Sequence, residues 1–228
     1  MGGRVHRHCT SGRSAMEIVQ IEKKLNILSP LFNAFFCTEG YIDFPRVGSD
    51  GLYVYGFFQS ERFFSNYSTQ LKEELRFVPE VIGDVLSEGI SLRKCESVCV
   101  HVRVGDYKGN PVFDVCSADY YCRAVSLMKT MCRQPWFYVF SDDAPAARQM
   151  LAPVWDGSFR LIPAEFSDWE SLYLGTCCRH FVIPNSSFSW WMQYLSDSSD
   201  KIVIAPSKWY VEERPCAIYQ KEWLLIDP

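Results

Sequence analysis

From residue 97 onward the chain alternates short, unbroken apolar runs with segments whose apolar residues recur at helical spacing. Apolar runs without a polar face are typical of parallel strands that are buried on both sides. The predicted strands are Ser97–Val102, Phe137–Phe140, Phe159–Ile162, His180–Ile183 and Lys201–Ala205. The predicted helices are Ala118–Arg133, Pro145–Leu151, Asp168–Cys178 and Ser187–Leu195. This alternation predicts the α/β fold class, with a Rossmann-like parallel sheet in the C-terminal half.

The first 95 residues have a less regular pattern. It predicts a helix at Glu17–Leu28, a strand at Leu52–Phe57 and a second helix at Glu61–Leu75. The first 15 residues are rich in Gly, Arg and His and have almost no apolar periodicity, which indicates a disordered or non-native tail. The predicted organisation is a tail at 1–15, an incomplete α/β domain at 16–95 and a Rossmann-like domain at 96–228.

The net charge, the aromatic content and the lengths of the apolar runs limit which partners and which cellular location are expected. The formal net charge of −4 provides no positive surface for a polyphosphate chain, so nucleic acid is not an expected partner. Aromatic residues make up 15% of the chain, which fits either stacking on sugar and base rings or an aromatic core. No apolar run approaches the roughly 18 residues that span a bilayer, and Met1–Ser14 lacks the apolar stretch of a signal peptide. We therefore expect a cytoplasmic location.

The ten cysteines are spread along a chain with a large apolar core. Several lie inside apolar runs, as Cys99 and Cys122 do, which predicts reduced core thiols rather than a disulfide framework. The adjacent pair Cys177 and Cys178 lacks the CxxC spacing of zinc and redox sites. We therefore expect no metal site.

Ligands of parallel sheets bind beyond the carboxyl ends of the strands, so the segments that follow each apolar run are the first candidates for a binding site. The first candidate, HVRVGDY, places His101 and Arg103 on a strand end before Gly105 and Asp106. A guanidinium in this position can hold a phosphate through two parallel N–H bonds. The alternative is a structural ion pair between Arg103 and Asp106.

The second candidate is Phe140-Ser141-Asp142-Asp143, at the point where a strand ends and a helix begins. Paired carboxylates resemble the DxD site at which some glycosyltransferases hold a divalent cation, although the spacing here is DD. The alternative is that Asp143 caps the helix while Asp142 binds locally or to ligand hydroxyls.

The third candidate is the segment PNSSFSWW, where a strand breaks at Pro184 and a helix begins among Ser186, Ser187 and Phe188. The backbone N–H groups at a helix N-terminus form an anion site that could hold a diphosphate. The alternative is an ordinary serine N-cap. A further helix start, Ser167 to Glu170, has the form of a capping box.

Taken together and in order, these segments resemble glycosyltransferase family 11, the α-1,2-fucosyltransferases. HVRVGDY is similar to the family's HxRRxD motif, and HFVIPNSSFSWW is similar to its NSSFSWW segment. GFFQSERFF, FYVFSDDAP, KIVIAPSKWY and the final EWLLI also resemble family segments. The resemblance extends from about Met16 to Pro228.

This resemblance implies a GT-B-like inverting enzyme without a required metal or cofactor, in which 16–95 form the acceptor side and 96–228 bind the GDP-sugar. It assigns Arg103 to the β-phosphate, His101 to the nucleotide side, and the turn at Ser186, Ser187 and Phe188 to the diphosphate. Asp142 is expected to bind the donor. Asp106 is either the base that accepts the acceptor's proton or an ion-pair partner of Arg103.

The chain departs from the family pattern at three places. Nothing in residues 1–40 matches the family's Gly-Gly-x-Gly-Asn-Gln turn, so we expect that the N-terminal part of the enzyme is missing. Val104 replaces the second arginine of HxRRxD. Ser171 stands where an acidic residue would bind the N–H donors of guanine, which leaves Asp168 or Glu170 as candidates for that role.

Three functions remain compatible with the sequence. The first is transfer of L-fucose from GDP-fucose to the 2-hydroxyl of a galactoside, with peripheral membrane association through a lipid-linked acceptor left open. The second is a truncated, non-catalytic remnant that binds a nucleotide-sugar or a glycan. The third is an enzyme of the same architecture that uses another GDP-sugar.

Overall fold

The computed structural model describes residues 34–37, 40–43 and 53–228. The chain divides into two compact units, Met1–Phe63 and Phe64–Pro228. In the first unit, strands β1 (Ala34–Cys37) and β2 (Tyr53–Gly56) form a parallel pair in which Ala34 lies beside Tyr53. The predicted strand at 52–57 is therefore confirmed, whereas the helix predicted at 17–28 lies outside the described residues.

The second unit begins with short helical segments. The α-helices are α1 (Ser68–Glu74), α2 (Pro79–Ile82) and α3 (Leu86–Lys94), and 3₁₀ turns occupy Ser65–Tyr67 and Gly83–Val85. A further 3₁₀ turn, Glu61–Phe63, ends the first unit. The single helix predicted at Glu61–Leu75 is wrong, because the backbone leaves helical geometry at Phe64 (φ −135°) and Tyr67 (φ −119°). Ser65 and Asn66 between them are residue types that favour helix ends over helix interiors.

The rest of the second unit is one parallel sheet with its connecting helices. Its strands are β3 (Ser97–Val102), β4 (Trp136–Ser141), β5 (Phe159–Leu161), β6 (His180–Val182), β7 (Val203–Pro206) and β8 (Leu224–Ile226). Its helices are α4 (Ala118–Met131), α5 (Ala144–Met150), α6 (Asp168–Thr176) and α7 (Ser187–Leu195). The strand order is β5-β4-β3-β6-β7-β8, and every neighbouring pair is parallel.

Alternating side chains place the sheet between two hydrophobic layers. On β3, Val98, Val100 and Val102 pack with the buried side chains of α4 and α5, whereas Cys99 packs with those of α3, α6 and α7. All six residues of β3 are buried, which explains why this strand lacks a polar face in the sequence. The predicted α/β class with a Rossmann-like parallel sheet is confirmed.

The sheet has a topological switch point between β3 and β6. The chain proceeds from β3 outward through β4 to β5 and then returns to the other side of β3 as β6. The loops that follow β3 and β6 therefore diverge from one another and leave a crevice at the carboxyl edge, where ligands of open α/β sheets bind. Within the described ranges, no helix has both the length and the apolar character needed to cross a membrane.

Candidate functional site

A cavity of about 480 Å³ lies at the carboxyl edge of the sheet, at the switch point. It brings together all but one of the side chains that the sequence predicts for the site. Those that line it are His101, Arg103, Asp106, Asp142, Asp168, Ser186, Ser187 and Phe188. Arg103 and the N-terminus of α7 thus face one shared hollow, as a common diphosphate site requires. The individual roles of these residues stay predictions.

Arg103 lies in this cavity between two carboxylates. Its Nη2 is 2.7 Å from Asp106 Oδ1, and its Nε donates to the same oxygen at 3.0 Å. On the other side, its Nη1 is 3.1 Å from Asp142 Oδ2. The Arg103 side chain is one third exposed, at 33%, so the guanidinium is both held in place and accessible from the cavity.

The two adjacent aspartates after β4 have different hydrogen-bond partners. Asp143 is the N-cap of α5, because its carboxylate accepts the Ala146 N–H at 3.0 Å. Asp142 accepts the Val104 N–H at 2.9 Å with one oxygen and binds Arg103 with the other. Since both carboxylates are engaged in this way, the pair resembles the cap-and-local-contact alternative rather than a DxD cation site.

His101 contributes a neutral ring to the cavity wall. Burial lowers the pKa of His101 from 6.5 to about 4, and the neighbouring Arg103 charge acts in the same direction while Asp142 opposes it. The imidazole is therefore uncharged at neutral pH. Its Nδ1 is buried and has no hydrogen-bond partner among the described residues. Buried polar atoms are nearly always paired, so this nitrogen is a candidate contact for a ligand of the cavity.

The N-terminus of α7 supplies the opposite wall. Ser186 occupies the N-cap position, but its side chain makes no cap hydrogen bond. The first-turn N–H groups of a helix have no partners within the helix and carry its positive dipole end. The geometry therefore differs from an ordinary serine cap and leaves this helix end suited to an anion.

Asn185 is a residue of this edge that the sequence did not single out. It is 1% exposed, and its side-chain amide donates to the carbonyl oxygens of Phe113 (3.1 Å) and Trp209 (2.9 Å). Its own carbonyl oxygen accepts the hydroxyl of Tyr107 at 3.2 Å. One buried asparagine thus joins two loops, the one after β3 and the one after β7, to the segment before Ser186. In the sequence it follows Pro184 and is the first residue of the NSSFSWW segment, but neither feature indicates that its amide is buried.

The far end of the cavity is formed by the loop after β5 and the first turn of α6. Asp168 and Ser171, which are three residues apart on one helix face, both line it, together with Ile162, Pro163 and Phe166. Glu170 does not line the cavity. Its carboxylate accepts the N–H of Ser167 at 2.7 Å and completes the predicted capping box. Of the two guanine candidates, only Asp168 lines the cavity.

A second group of titratable side chains lies at the amino edge of the sheet. The ligand-type atoms of Glu96, Cys132 and His180 are within 4.8 Å of one another. His180 Nδ1 accepts the Ile202 N–H at 3.0 Å, so the ring proton of the neutral imidazole lies on Nε2. Burial raises the pKa of the Cys132 thiol to about 11. The backbone thus already uses His180 Nδ1, and a metal bound here would have to displace the protons of the Cys132 thiol and of His180 Nε2.

The described cysteines are free thiols, including the adjacent pair Cys177 and Cys178. Burial raises the pKa of both, which keeps them protonated and unreactive at neutral pH. Cys177 and Cys178 both pack in the hydrophobic layer that includes the buried side chains of α6 and α7.

Comparisons of sequence find relatives of this chain. An α-1,2-colitosyltransferase of Escherichia coli is 30% identical over 183 residues, which cover 75% of this chain and 61% of that protein. A galactoside 2-α-L-fucosyltransferase of Caenorhabditis elegans is 24% identical over 155 residues, which cover 64% of this chain and 43% of that protein. The chain thus spans less than two thirds of the length of these relatives.

Among solved structures, the α-1,6-fucosyltransferase NodZ soaked with GDP-fucose superposes with a TM-score of 0.48 at 16% identity, over 81% of this chain and 60% of that one. In sequence, residues 32–227 match the model of Glycosyl transferase family 11. That match includes all the cavity-lining residues and nearly the whole chain. The chain belongs to glycosyltransferase family 11.

Proposed function

We propose that this chain carries the donor site of an inverting fucosyltransferase that transfers L-fucose from GDP-fucose to the 2-hydroxyl of a galactoside. Membership of family 11 and the named activity of the Caenorhabditis elegans relative support this reading. The single observation that carries it is the shared cavity, in which Arg103 and the uncapped end of α7 face one another across the switch point.

The chemistry of the transfer suits this arrangement. The acceptor hydroxyl oxygen forms a bond to the anomeric carbon of fucose while the bond from that carbon to the β-phosphate oxygen breaks, and the hydroxyl proton passes to a base. Negative charge grows on the departing GDP. Arg103 and the first-turn N–H groups of α7 are fixed donors for that charge. Asp106, with its carboxylate 67% exposed beside Arg103, is the proposed base.

The direct test is incubation of the protein with GDP-fucose and lactose or N-acetyllactosamine, followed by measurement of released GDP and of a 2-linked product. The proposal requires both products to appear together. It also requires that EDTA leave the rate unchanged, because no metal is assigned a role. A divalent-cation requirement would contradict the assignment of the leaving-group charge to Arg103 and α7.

The decisive variant is Arg103→Ala. Loss of one such charge-assisted contact lowers kcat/KM by about 10²- to 10³-fold, or roughly 3–4 kcal/mol of transition-state stabilisation. Arg123→Ala is the matched control, since Arg123 pairs with Asp119 on the surface of α4. Its kcat/KM is expected to equal that of the wild type. An Arg103→Ala protein with full GDP affinity and full rate would remove Arg103 from the proposed site.

Two other functions differ from this one in measurable ways. The Escherichia coli relative is named for colitose transfer, so a donor screen with other GDP-deoxysugars tests whether this chain prefers one of them. Binding of GDP without release from any GDP-sugar would favour the non-catalytic alternative. We propose a cytoplasmic location with a lipid-linked acceptor at the inner membrane, which cell fractionation and assays with membrane extracts would test.

A further inference from the structure

The two carboxylates that bind Arg103 are held very differently. Asp142 uses both oxygens, one on the Val104 N–H and one on the guanidinium, and its side chain is 23% exposed. For Asp106, whose side chain is 67% exposed, the structure shows contacts of the carboxylate to Arg103 alone among the described residues. One carboxylate is therefore tied to the backbone of the neighbouring strand end, whereas the other can leave Arg103 by turning into solvent.

From this difference we infer that Asp142 is a fixed positioning residue for Arg103, whereas Asp106 is a placeholder that occupies the guanidinium until the donor's diphosphate displaces it. This inference rests on the proposed function, because it requires that the cavity bind a diphosphate. It adds that donor binding exchanges one anionic partner of Arg103 for another and sets the Asp106 carboxylate free.

The charges around the cavity support the exchange. Among the described residues that line it, Arg103 is the only cation, whereas Asp106, Asp142 and Asp168 are anions. A diphosphate that entered with Asp106 still on Arg103 would meet a guanidinium already neutralised on both sides, together with repulsion from a carboxylate a few ångströms away. Departure of Asp106 removes both obstacles, and breaking one exposed ion pair costs little.

Close packing shows why Asp142 is the partner that stays. A Cβ atom placed on Gly105 would lie 2.4 Å from Asp142 Oδ2, so the backbone of the β3 loop presses directly against this carboxylate. Because Asp142 reaches across from the end of β4, it fixes the direction in which the β3 loop presents the guanidinium. Glycine at position 105 is thus required for the contact between the two strand ends.

Once displaced, Asp106 becomes available for the second half of the reaction. Its carboxylate remains on the turn next to Arg103 but is no longer bound to the guanidinium, so both of its oxygens can face the acceptor hydroxyl. The exchange would therefore make the base available only when the donor is bound.

The test measures GDP affinity by isothermal titration calorimetry at fixed ionic strength for Asp106→Asn and Asp142→Asn. Each substitution removes one negative charge next to Arg103, so simple charge repulsion predicts tighter GDP binding for both. The inference predicts opposite signs. Asp106→Asn is expected to bind GDP about three- to tenfold more tightly, and Asp142→Asn about three- to tenfold more weakly. Inorganic pyrophosphate is expected to show the same two signs.

Steady-state kinetics provide a second measurement, because a damaged fold would not lower KM and kcat together. Asp106→Asn is expected to lower KM for GDP-fucose while also lowering kcat, because the placeholder and the base are lost together. Gly105→Ala is expected to weaken GDP binding as Asp142→Asn does, because the new methyl group pushes the Asp142 carboxylate off Arg103. This variant keeps the test decisive if Asp142→Asn does not fold, as judged by its unfolding midpoint.

Two results would overturn the inference while wild-type protein still binds GDP. The first is unchanged or weaker GDP binding by Asp106→Asn, which would show that Asp106 does not compete with the diphosphate. The second is tighter GDP binding by Asp142→Asn or Gly105→Ala. That result would show that Asp142 mainly repels the diphosphate and does not position Arg103. Absence of GDP binding by the wild type, or unchanged binding by Arg103→Ala, would instead remove the proposed function.

Discussion

Replacement of His101 by glutamine tests how the cavity wall responds to pH. In the folded protein burial lowers the pKa of His101 from 6.5 to about 4. Because the unfolded chain takes up the proton at higher pH, the neutral ring contributes its full stability above pH 6.5 and loses it as the pH falls toward 4. Glutamine cannot ionise, so the variant lacks this dependence.

The size of the effect follows from the two pKa values. The difference in proton binding between the two states destabilises the folded wild type by about 2 kcal/mol at pH 5 and about 3 kcal/mol at pH 4, relative to pH 8. The free energy of unfolding of His101→Gln is expected to fall by that much less over the same range. All other groups titrate in both proteins, so their contributions cancel in the comparison.

The assay is urea unfolding of both proteins, monitored by tryptophan fluorescence, at pH values from 8 to 4. Binding of GDP adds a functional check: because His101 is already neutral and the terminal phosphate of GDP titrates in both cases, the wild type and His101→Gln are expected to show the same pH dependence of affinity near pH 6.5. Equal loss of stability in the wild type and His101→Gln between pH 8 and pH 5 would refute the reasoning, since it would mean that His101 titrates normally in the folded protein.

Two further substitutions, each paired with a control, test packing and hydrogen bonding in the fold. Urea unfolding measures the stability of every variant. Gly89→Ala would place a Cβ atom 2.5 Å from Tyr173 Oη and is expected to destabilise the fold by about 1–3 kcal/mol, whereas Gly157→Ala, with nothing within 4 Å, is expected to change it by less than about 0.5 kcal/mol. Asn185→Ala leaves one buried and one partly buried carbonyl group without their donor and is expected to cost about 2–4 kcal/mol, whereas the exposed Asn66→Ala costs less than about 0.5 kcal/mol. Equal effects of either pair would contradict the structure.

The central strands could be predicted because burial on both faces leaves a direct mark on the sequence. The predicted bounds of β3, Ser97–Val102, agree with the structure at both ends. β8 was not among the predicted strands, because its residues Leu224–Ile226 lie at the sheet edge and are largely exposed. The failure at Glu61–Leu75 has another cause: helical apolar spacing continues across Ser65 and Asn66, but the backbone there does not.

The sheet topology predicts which segments meet at the site, but the sequence does not predict what each side chain in those segments contacts. Carboxyl ends of parallel strands share one edge, which is why segments far apart in sequence line one cavity. Glu170 was assigned both to a capping box and to guanine, and only the coordinates show that the cap takes the carboxylate. The neutral state of His101 depends on burial by residues distant in sequence, and the sequence pattern carries no information on it.

The hydrogen bonds of Asn185 have a consequence for redesigning what the cavity accepts. The amide reaches the backbone, not the side chains, of Phe113 and Trp209, so these hydrogen bonds depend on where the two carbonyl groups lie and not on the side chains at those positions. Insertions or deletions between Tyr107 and Phe113 would move one of those carbonyls and with it the first turn of α7. Libraries aimed at new specificity should therefore vary residues in these loops and leave their lengths alone.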